Sequence, residues 1–270
     1  MLRVLIVFLC FIAMIGCSRQ QYLSNDLNSD PFYFTTKKGT LYEFSGSVSQ
    51  VTSQKISNIL KHNQDVLFTA NSNSLSLMSD NGSIIHRYES NQSIISATVS
   101  PDLNIYYFVN NLGELYKFII SDSNLVKIDI DKLYPLPSQI IFGKDNELIY
   151  HDHNFIYSLN LDSLQTEKLI NEVMPIESIA YQKVADEIFF STSTDGKIFC
   201  INKEYKAPVI YIESISASGS HISINNSKNE FYYTRSDFRN TTIYKHDFIS
   251  RESNEVATLY NIQKIYNFSF

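Results

Sequence analysis

The sequence predicts an all-β domain of six repeating units, each made of four short strands. Short alternating apolar runs are separated by turn residues throughout the chain, a pattern typical of strands rather than helices. One run recurs in every unit as an apolar and aromatic triplet, and successive triplets begin 34 to 43 residues apart. The triplets are Phe32–Phe34, Val66–Phe68, Ile105–Tyr107, Leu148–Tyr150, Ile188–Phe190 and Phe231–Tyr233. A period near 40 residues is typical of the blades of a β-propeller.

A second recurring element is an apolar–aromatic pair that opens the third strand of five units. These pairs are Leu41–Tyr42, Leu115–Tyr116, Ile156–Tyr157, Ile198–Phe199 and Ile243–Tyr244. Gly39, Gly113 and Gly196 precede three of the pairs by two residues. A tight hairpin needs a residue that tolerates positive φ at such a position, so we predict a hairpin there.

A third observation concerns the first strands and closure of the ring. An apolar first strand precedes the triplet in five units: Ile56–Leu60, Ile94–Val99, Ile140–Phe142, Ile176–Tyr181 and Ile222–Ile224. The unit at Phe32 has none, whereas the alternating segment Ile265–Phe270 belongs to no unit. We therefore predict that this C-terminal segment supplies the missing inner strand, so that residues 31–270 form a closed six-bladed propeller. Fourth strands are more polar, as expected for an outer edge.

The repeats resemble those of known propeller families. The stretch Leu75–Tyr88 is similar in style to a quinoprotein-repeat blade, and Ser100–Phe108 to a TolB or WD-repeat blade. The resemblance implies a six-bladed propeller of the TolB or quinoprotein-repeat kind. The chain has no Trp, so it lacks the strict quinoprotein and WD motifs, and repeat style does not carry function.

The N-terminus, residues 1–16, is predicted to be a signal peptide. Arg3 supplies a positive charge, and Val4–Ile15 is an apolar run that is short for a membrane span. The run ends at Met14-Ile15-Gly16-Cys17, which resembles the lipobox of bacterial lipoproteins, with Met14 where that family usually has Leu. The resemblance implies cleavage before Cys17 and acylation of its sulfur and amine, which would hold the protein on a membrane. The alternative is a plain secretory signal in which Cys17 is incidental.

Residues 17–30 are predicted to be the lipidated cysteine and a polar tether. In Gram-negative lipoproteins, Asp after the lipidated cysteine usually means retention in the inner membrane. Ser18 is instead compatible with transfer to the outer membrane, and we predict a location on its periplasmic side. Surface display and the cytoplasmic membrane of a Gram-positive cell stay open as alternatives.

Composition and missing motifs limit the function classes. The formal charge of −6 argues against nucleic-acid binding. A nucleophile elbow, a zinc-protease helix motif, a phosphate loop and a dinucleotide fingerprint are all absent from the sequence. We therefore predict no catalytic residue and no cofactor. If Cys17 is lipidated, Cys200 has no partner for a disulfide, and we interpret Cys200 as a small buried filler rather than a reactive thiol.

Two short segments are candidate sites. In the segment His151-Asp152-His153, the two histidines would share a face of a strand and could bind a metal. The triplet falls between the second and third strands, however, where Asp and Asn residues commonly make turns. The second segment, Arg235–Asn240, contains Arg235, Asp237, Phe238 and Arg239 and is either a solvated hairpin tip or a contact loop.

From these features we expect a membrane-anchored, non-catalytic scaffold that binds envelope proteins. The alternative is a propeller that binds or processes glycans through its central funnel. Titratable groups converging at the funnel mouth would favour the glycan alternative. Scattered charges and an exposed Tyr/Phe patch would favour the scaffold.

Overall fold

A computed structural model of the chain describes residues 23–24, 31–63, 66–204, 206–213, 220–237, 239–260, 262 and 265–269, with the backbone alone for residues 23–24 and 266–268. The predicted signal peptide, Cys17 and Phe238 lie outside the described residues. Strands are numbered in chain order.

The strands form six antiparallel sheets, which are the blades. Strand β1 is Leu23–Ser24. Blade one contains β2 (Phe32–Thr36), β3 (Leu41–Phe44) and β4 (Val48–Thr52). Blade two contains β5 (Asn58–Asn63), β6 (Val66–Ala70), β7 (Ser74–Ser79) and β8 (Ile84–Glu89). Blade three contains β9 (Ile94–Val99), β10 (Ile105–Asn110), β11 (Leu115–Ile119) and β12 (Asn124–Lys127).

The remaining blades repeat this order. Blade four contains β13 (Gln139–Phe142), β14 (Glu147–His151), β15 (Ile156–Asn160) and β16 (Thr166–Lys168). Blade five contains β17 (Ile176–Gln182), β18 (Glu187–Thr192), β19 (Ile198–Asn202) and β20 (Pro208–Ile212). Blade six contains β21 (Ile222–Asn225), β22 (Glu230–Ser236), β23 (Thr241–His246) and β24 (Ser253–Leu259), and β25 is Ile265–Ser269.

The C-terminal strand closes the ring, as predicted. β25 pairs antiparallel with β2, with Phe34 opposite Phe268 and Tyr33 opposite Ser269, and so becomes the inner strand of blade one. It contacts the inner strands of blades six and two, and the hydroxyl of Ser269 accepts the backbone N–H of His62 in β5 at 3.0 Å. The inner strands β5, β9, β13, β17, β21 and β25 therefore form a continuous circle.

The core is divided among the six contacts between neighbouring blades. Each contact has its own cluster of buried apolar residues, such as the one joining blades six and one. Five blades also contain a stacked aromatic pair between their second and third strands, with ring centroids 5.0 to 5.4 Å apart. The pairs are Phe34–Tyr42, Phe108–Tyr116, Tyr150–Tyr157, Phe190–Phe199 and Tyr233–Tyr244. Stacking of directly opposed rings stabilises each sheet, which explains the recurrence of aromatic residues in the sequence.

The predicted strands agree with the structure apart from two details. In blade three, Phe108 rather than Tyr107 occupies the stacked position, so the predicted triplet is one residue out of phase. In blade two, Ile56 precedes the first strand, and its backbone N–H donates to the carbonyl of Gly39 at 2.7 Å. The described part of the chain contains no helix that is long and apolar enough to cross a membrane.

β1 adds a fifth strand to blade six, within the segment predicted to be a tether. It pairs antiparallel with the outer strand β24, with Leu23 opposite Thr258 and Ser24 opposite Ala257. The segment that leads into blade one therefore first runs along the outer edge of blade six.

Candidate protein-binding face

One face of the ring carries the hairpins between second and third strands and the connections that lead from one blade to the next. We call it the upper face, and the opposite one the lower face. Backbone hydrogen bonds join these two kinds of loop across the blade contacts. The carbonyl of Gly39 accepts from Ile56, that of Gly113 from Leu133 at 2.9 Å, and that of His153 from Ile176 at 2.8 Å. The loops of the upper face are thus hydrogen-bonded to one another and do not move independently.

The connection between blades three and four is the most prominent loop of this face. Residues 128–138 link β12 to β13, and both ends are fixed by backbone hydrogen bonds. The N–H of Ile128 donates to Leu115, and that of Ser138 to His151 at 2.7 Å. Leu133, in the middle, is buried in the cluster between the two blades. Because the loop is anchored at three points, its outward side chains are held in place.

Two of those outward side chains, together with one from the neighbouring hairpin, form an exposed apolar patch. Tyr134 is 87% exposed, Leu136 40%, and Leu112, at the tip of the facing hairpin, 49%. We call Leu112, Tyr134 and Leu136 the apolar patch. Gly113 brings the two loops together, because it has φ of +79° and a Cβ there would lie 2.8 Å from the carbonyl oxygen of Leu133. The same Cβ would be 3.3 Å from Cδ2 of Leu136, so the hairpin that carries Leu112 meets the connection at Leu136.

Carboxylates border the apolar patch. Asp129 and Asp131 of the connection are exposed. The Glu114 carboxylate accepts hydrogen bonds from Lys127 Nζ at 2.7 Å, Asn110 Nδ2 at 2.8 Å and the Tyr116 hydroxyl at 2.9 Å. These bonds lower the pKa of Glu114 to about 2. Lys132 of the same connection is also exposed, and Lys127 pairs with Glu114, so the patch is an apolar surface with a border of mixed charge.

The predicted histidine segment lies on the same face, where β14 ends and the hairpin to β15 begins. His151 ends β14 and is buried, and its Nδ1 accepts the backbone N–H of His153 at 3.2 Å. Burial, with His153 nearby, lowers the pKa of His151 to about 3, so the ring is neutral at physiological pH. Asp152 accepts the backbone N–H groups of Asn154 and Phe155 at 2.8 Å, which is the turn-forming role considered from the sequence.

The two histidines are close to each other but differ in environment. Their ring centroids are 5.6 Å apart. His153 is exposed with φ of +78°, and its Nδ1 lies 3.4 Å from the carbonyl oxygen of Ile176. His221 Nε2 and Glu177 Oε1, 3.3 Å apart, form an ion pair between blades six and five if the histidine is protonated. Among the described residues, no group of three or more His, Cys, Asp or Glu is placed to hold a metal ion.

The candidate contact loop of blade six divides into two parts. Arg235 lies in β22 and packs against the rings of Tyr244 and Tyr233, with its guanidinium carbon 4.9 and 5.5 Å from their centroids. Asp237 and Arg239 are exposed at the hairpin, where the Asp237 carboxylate accepts the backbone N–H of Arg239 at 2.7 Å. Among the described residues of this loop, the exposed ones are therefore at the hairpin tip, and Arg235 is not among them.

The described arginines do not converge on the funnel. Arg87 forms a salt bridge with Glu89 on the outer strand β8, and Arg251 lies in a hairpin of the lower face. Cys200, on β19, is a free, partly buried cysteine, and burial raises the pKa of its thiol to about 12. A thiol with this pKa stays protonated and is a poor nucleophile near neutral pH.

The apolar patch was not identified from the sequence. Its signal is the Tyr134-Pro135-Leu136-Pro137 stretch inside a connection of unusual length, an anchored loop with two large apolar residues. The contribution of Leu112 could not be predicted, because it depends on how the hairpin of blade three meets this loop.

Comparison with known proteins defines the fold only. No family model and no curated protein matches the sequence. A chain from a crystal structure of a nidogen/laminin complex superposes with a TM-score of 0.68 at 10% identity, over 88% of this chain and 97% of that chain. A protein of unknown function from Bacteroides caccae gives 0.66 at 9% identity, again over 88% and 97% of the two chains. At these identities the likeness shows a shared propeller fold and nothing finer.

Proposed function

We propose that this chain is a lipid-anchored scaffold of the bacterial envelope that binds another protein through the apolar patch. The observation that carries the proposal is Tyr134, which is 87% exposed on an anchored loop that also carries the exposed Leu136 and meets the hairpin of Leu112. Tyrosine is enriched among the residues that contribute most to binding energy, and a fixed loop keeps this exposed side chain in place for a partner. The propeller fold is consistent with protein binding, as such folds present broad faces built from loops.

The border of the patch indicates the chemistry of the partner. Apolar residues would fill the contact around Tyr134, basic residues would face the exposed Asp129 and Asp131, and an acidic residue would face Lys132. Complementary charge at the rim of an interface mainly accelerates association and fixes its orientation. The association rate should therefore fall as the salt concentration rises.

The support for a lipid anchor on Cys17 comes from the sequence alone. The short apolar run followed by Gly16-Cys17 resembles a lipobox, and Ser18 favours the outer membrane with the domain on the periplasmic side. The TolB-like or quinoprotein-like style of the repeats likewise remains a prediction. The glycan alternative rests on the titratable groups that lie near one another on the upper face, His151, His153 and the His221–Glu177 pair. It has less support than the scaffold, because His151 is buried and neutral and the described arginines are dispersed.

Site-specific crosslinking in the native envelope tests the binding surface. A photoreactive residue at Tyr134 should form one defined adduct, and a residue at Ile249, which is 92% exposed on the lower face, is the matched control. The Tyr134 adduct should disappear when Leu112→Asp and Leu136→Asp are added to the crosslinking variant. Equal labelling from both faces, or an adduct that survives these two changes, would overturn the proposed surface.

A separate experiment tests the anchor. Cys17→Ser should abolish incorporation of labelled palmitate and remove the protein from the lipid-modified membrane fraction, whereas Cys200→Ser should retain both. Continued palmitate incorporation in the Cys17→Ser protein would show that Cys17 is not the lipidation site.

A further inference from the structure

We infer that the upper face of blades six, one and two lies against an anionic lipid surface. This inference deepens the proposed function, because it rests on lipidation of Cys17. It depends on three features: the direction in which β1 runs, the length of chain between Cys17 and β1, and a group of exposed lysines beside the same rim.

The direction of β1 shows towards which face the chain leads. β24 ends at Leu259, opposite Thr241, so its C-terminal end lies on the upper face. β1 is antiparallel to β24, with Leu23 opposite Thr258 and Ser24 opposite Ala257. Following the backbone from Ser24 back to Leu23 therefore leads towards the upper face.

The length of the chain limits how far the anchor can be. Six residue steps separate Cys17 from Leu23. Whatever their conformation, they span at most about 20 Å, because an extended chain advances about 3.3–3.6 Å per residue. A tether free along residues 17–30 would reach about twice as far with no preferred side. The pairing of β1 thus keeps the acyl chains near the outer rim of blade six.

Exposed lysines occupy the adjoining sector of the upper face. Lys37 and Lys38 lie in the hairpin of blade one, and Lys55 lies in the connection to blade two. The two segments touch, because a Cβ at Gly39 would be 3.5 Å from the Cβ of Lys55. None of the three lysines forms a salt bridge with a carboxylate of the described residues.

The positive charge of these lysines is complementary to the anionic membrane that a lipid anchor on Cys17 would bring close to them. The whole chain has a formal charge of −6, so three neighbouring lysines that form no salt bridge among the described residues are a local exception. A lysine close to an anionic membrane strengthens binding by roughly fivefold. The apolar patch lies on the same upper face, on blades three and four, so this orientation tilts the ring: blades six, one and two rest on the lipid and blades three and four face away from it, towards a protein partner.

The test uses the full lipidated protein in vesicles of equal parts phosphatidylcholine and phosphatidylglycerol. A fluorophore is placed at Ser53→Cys, beside the lysines, or at Ser227→Cys in a lower-face hairpin, both exposed positions. Cys200→Ser serves as the background for both. Energy transfer to a headgroup-labelled lipid should be stronger from position 53 than from position 227. The difference should be lost in the triple variant Lys37→Glu, Lys38→Glu and Lys55→Glu, and reduced in vesicles of phosphatidylcholine alone.

Matched insertions test the contribution of β1. A flexible Gly/Ser insertion between residues 18 and 22 lengthens the path from Cys17 to β1 and should weaken the difference between the two labels. The same insertion between residues 25 and 29 leaves that path unchanged and should have no effect.

The outcomes separate this inference from the proposed function. Equal transfer from both labels in a palmitate-labelled protein, or transfer that the triple variant does not change, overturns the orientation and leaves the anchored scaffold standing. Failure of the wild-type protein to incorporate palmitate overturns the anchor and with it this inference. Equal effects of the two insertions would overturn the contribution of β1.

Discussion

Both ends of the described chain add a strand to a blade, but the two strands occupy opposite radial positions. β25 is the innermost strand of blade one, where it pairs with β2 and contacts the inner strands of blades six and two. Its Ile265 is fully buried. β1 is the outermost strand of blade six, comprises two residues and pairs with β24.

The radial position of a terminal strand therefore determines how much that strand contributes to the free energy of unfolding. The inner strand β25 fills the gap in the circle, and its Ile265 belongs to the apolar cluster between blades six and one. An outer strand forms hydrogen bonds with backbone N–H and C=O groups that water would bind in its absence. The two ends of the chain should therefore respond very differently to equally small changes.

The largest effect should follow deletion of residues 265–270. Their loss leaves the inner edge of β2 unpaired and opens the buried cluster between blades six and one, which contains Ile265, to water. Domains are stable by only about 5–15 kcal/mol, and each large buried side chain contributes several of these. We expect no cooperative thermal transition and association on size-exclusion chromatography. An unchanged melting temperature would mean that blade one is completed by another segment.

A smaller but still large effect should follow Ile265→Ala. Truncation of a fully buried isoleucine costs about 2–5 kcal/mol, depending on how far the surroundings collapse into the cavity. Ile249→Ala is the matched control, because Ile249 is 92% exposed and its truncation should change stability by about 0.5 kcal/mol or less. Urea unfolding gives both free energies. Equal values for the two variants would contradict the central role of β25.

Acid should weaken the contact between blades four and five, which depends on charged groups, whereas the closing contact of β25 depends on apolar burial and strand pairing. On the lower face, Lys203 bridges Glu147 of blade four and Asp186 of blade five, and the Tyr181 hydroxyl donates to Asp186 at 2.7 Å. Burial raises the pKa of Asp186, but the hydrogen bonds from Tyr181 and Lys203 outweigh it and leave the pKa below its ordinary value. A carboxyl group with a lowered folded pKa stabilises the protein above its unfolded pKa of about 4, and this contribution is lost as the pH falls further.

The variant Asp186→Asn should therefore be less stable than the wild type near neutral pH and should match it at about pH 2. Because Asp186 is partly exposed, we expect the difference at neutral pH to be about 1 kcal/mol or less. Asp145→Asn, an exposed neighbour on the same face, is the control and should change little. Thermal melts across the pH range measure the effect, and a difference that stays constant down to about pH 2 would contradict it.

Several features of the fold could be predicted from the sequence, because they depend on counting and alternation. Six triplets, five first strands and one unassigned strand were enough to predict a ring closed by Ile265–Phe270. The positive φ values of Gly39, Gly113 and Gly196 were also predicted, and the structure confirms them. The phase error in blade three has a simple cause: Tyr106, Tyr107 and Phe108 are consecutive aromatics, so alternation cannot show which of them stacks.

The remaining features depend on contacts between distant segments. The pairing of Leu23–Ser24 involves two residues and leaves no periodic pattern. The positive φ of His153 follows from its carbonyl accepting the N–H of Ile176 in the next blade, the role that Gly39 and Gly113 have elsewhere. The apolar patch likewise requires the three-dimensional approach of the hairpin at Leu112 to the loop at Leu136.

The smallest effect should come from β1. Deleting residues 19–24 removes six residues, as many as the C-terminal deletion, but only one two-residue pairing. A net backbone hydrogen bond contributes about 0.5–1.5 kcal/mol, and the entropy cost of ordering the segment offsets part of it. We expect the free energy of unfolding to fall by about 1 kcal/mol or less, with a shift of a few degrees in melting temperature. Amide exchange should accelerate in β24 around Ala257 and Thr258 and stay unchanged in β25. A loss of stability as large as that of Ile265→Ala would show that the outer strand belongs to the core of blade six and that the contrast between the two ends is wrong.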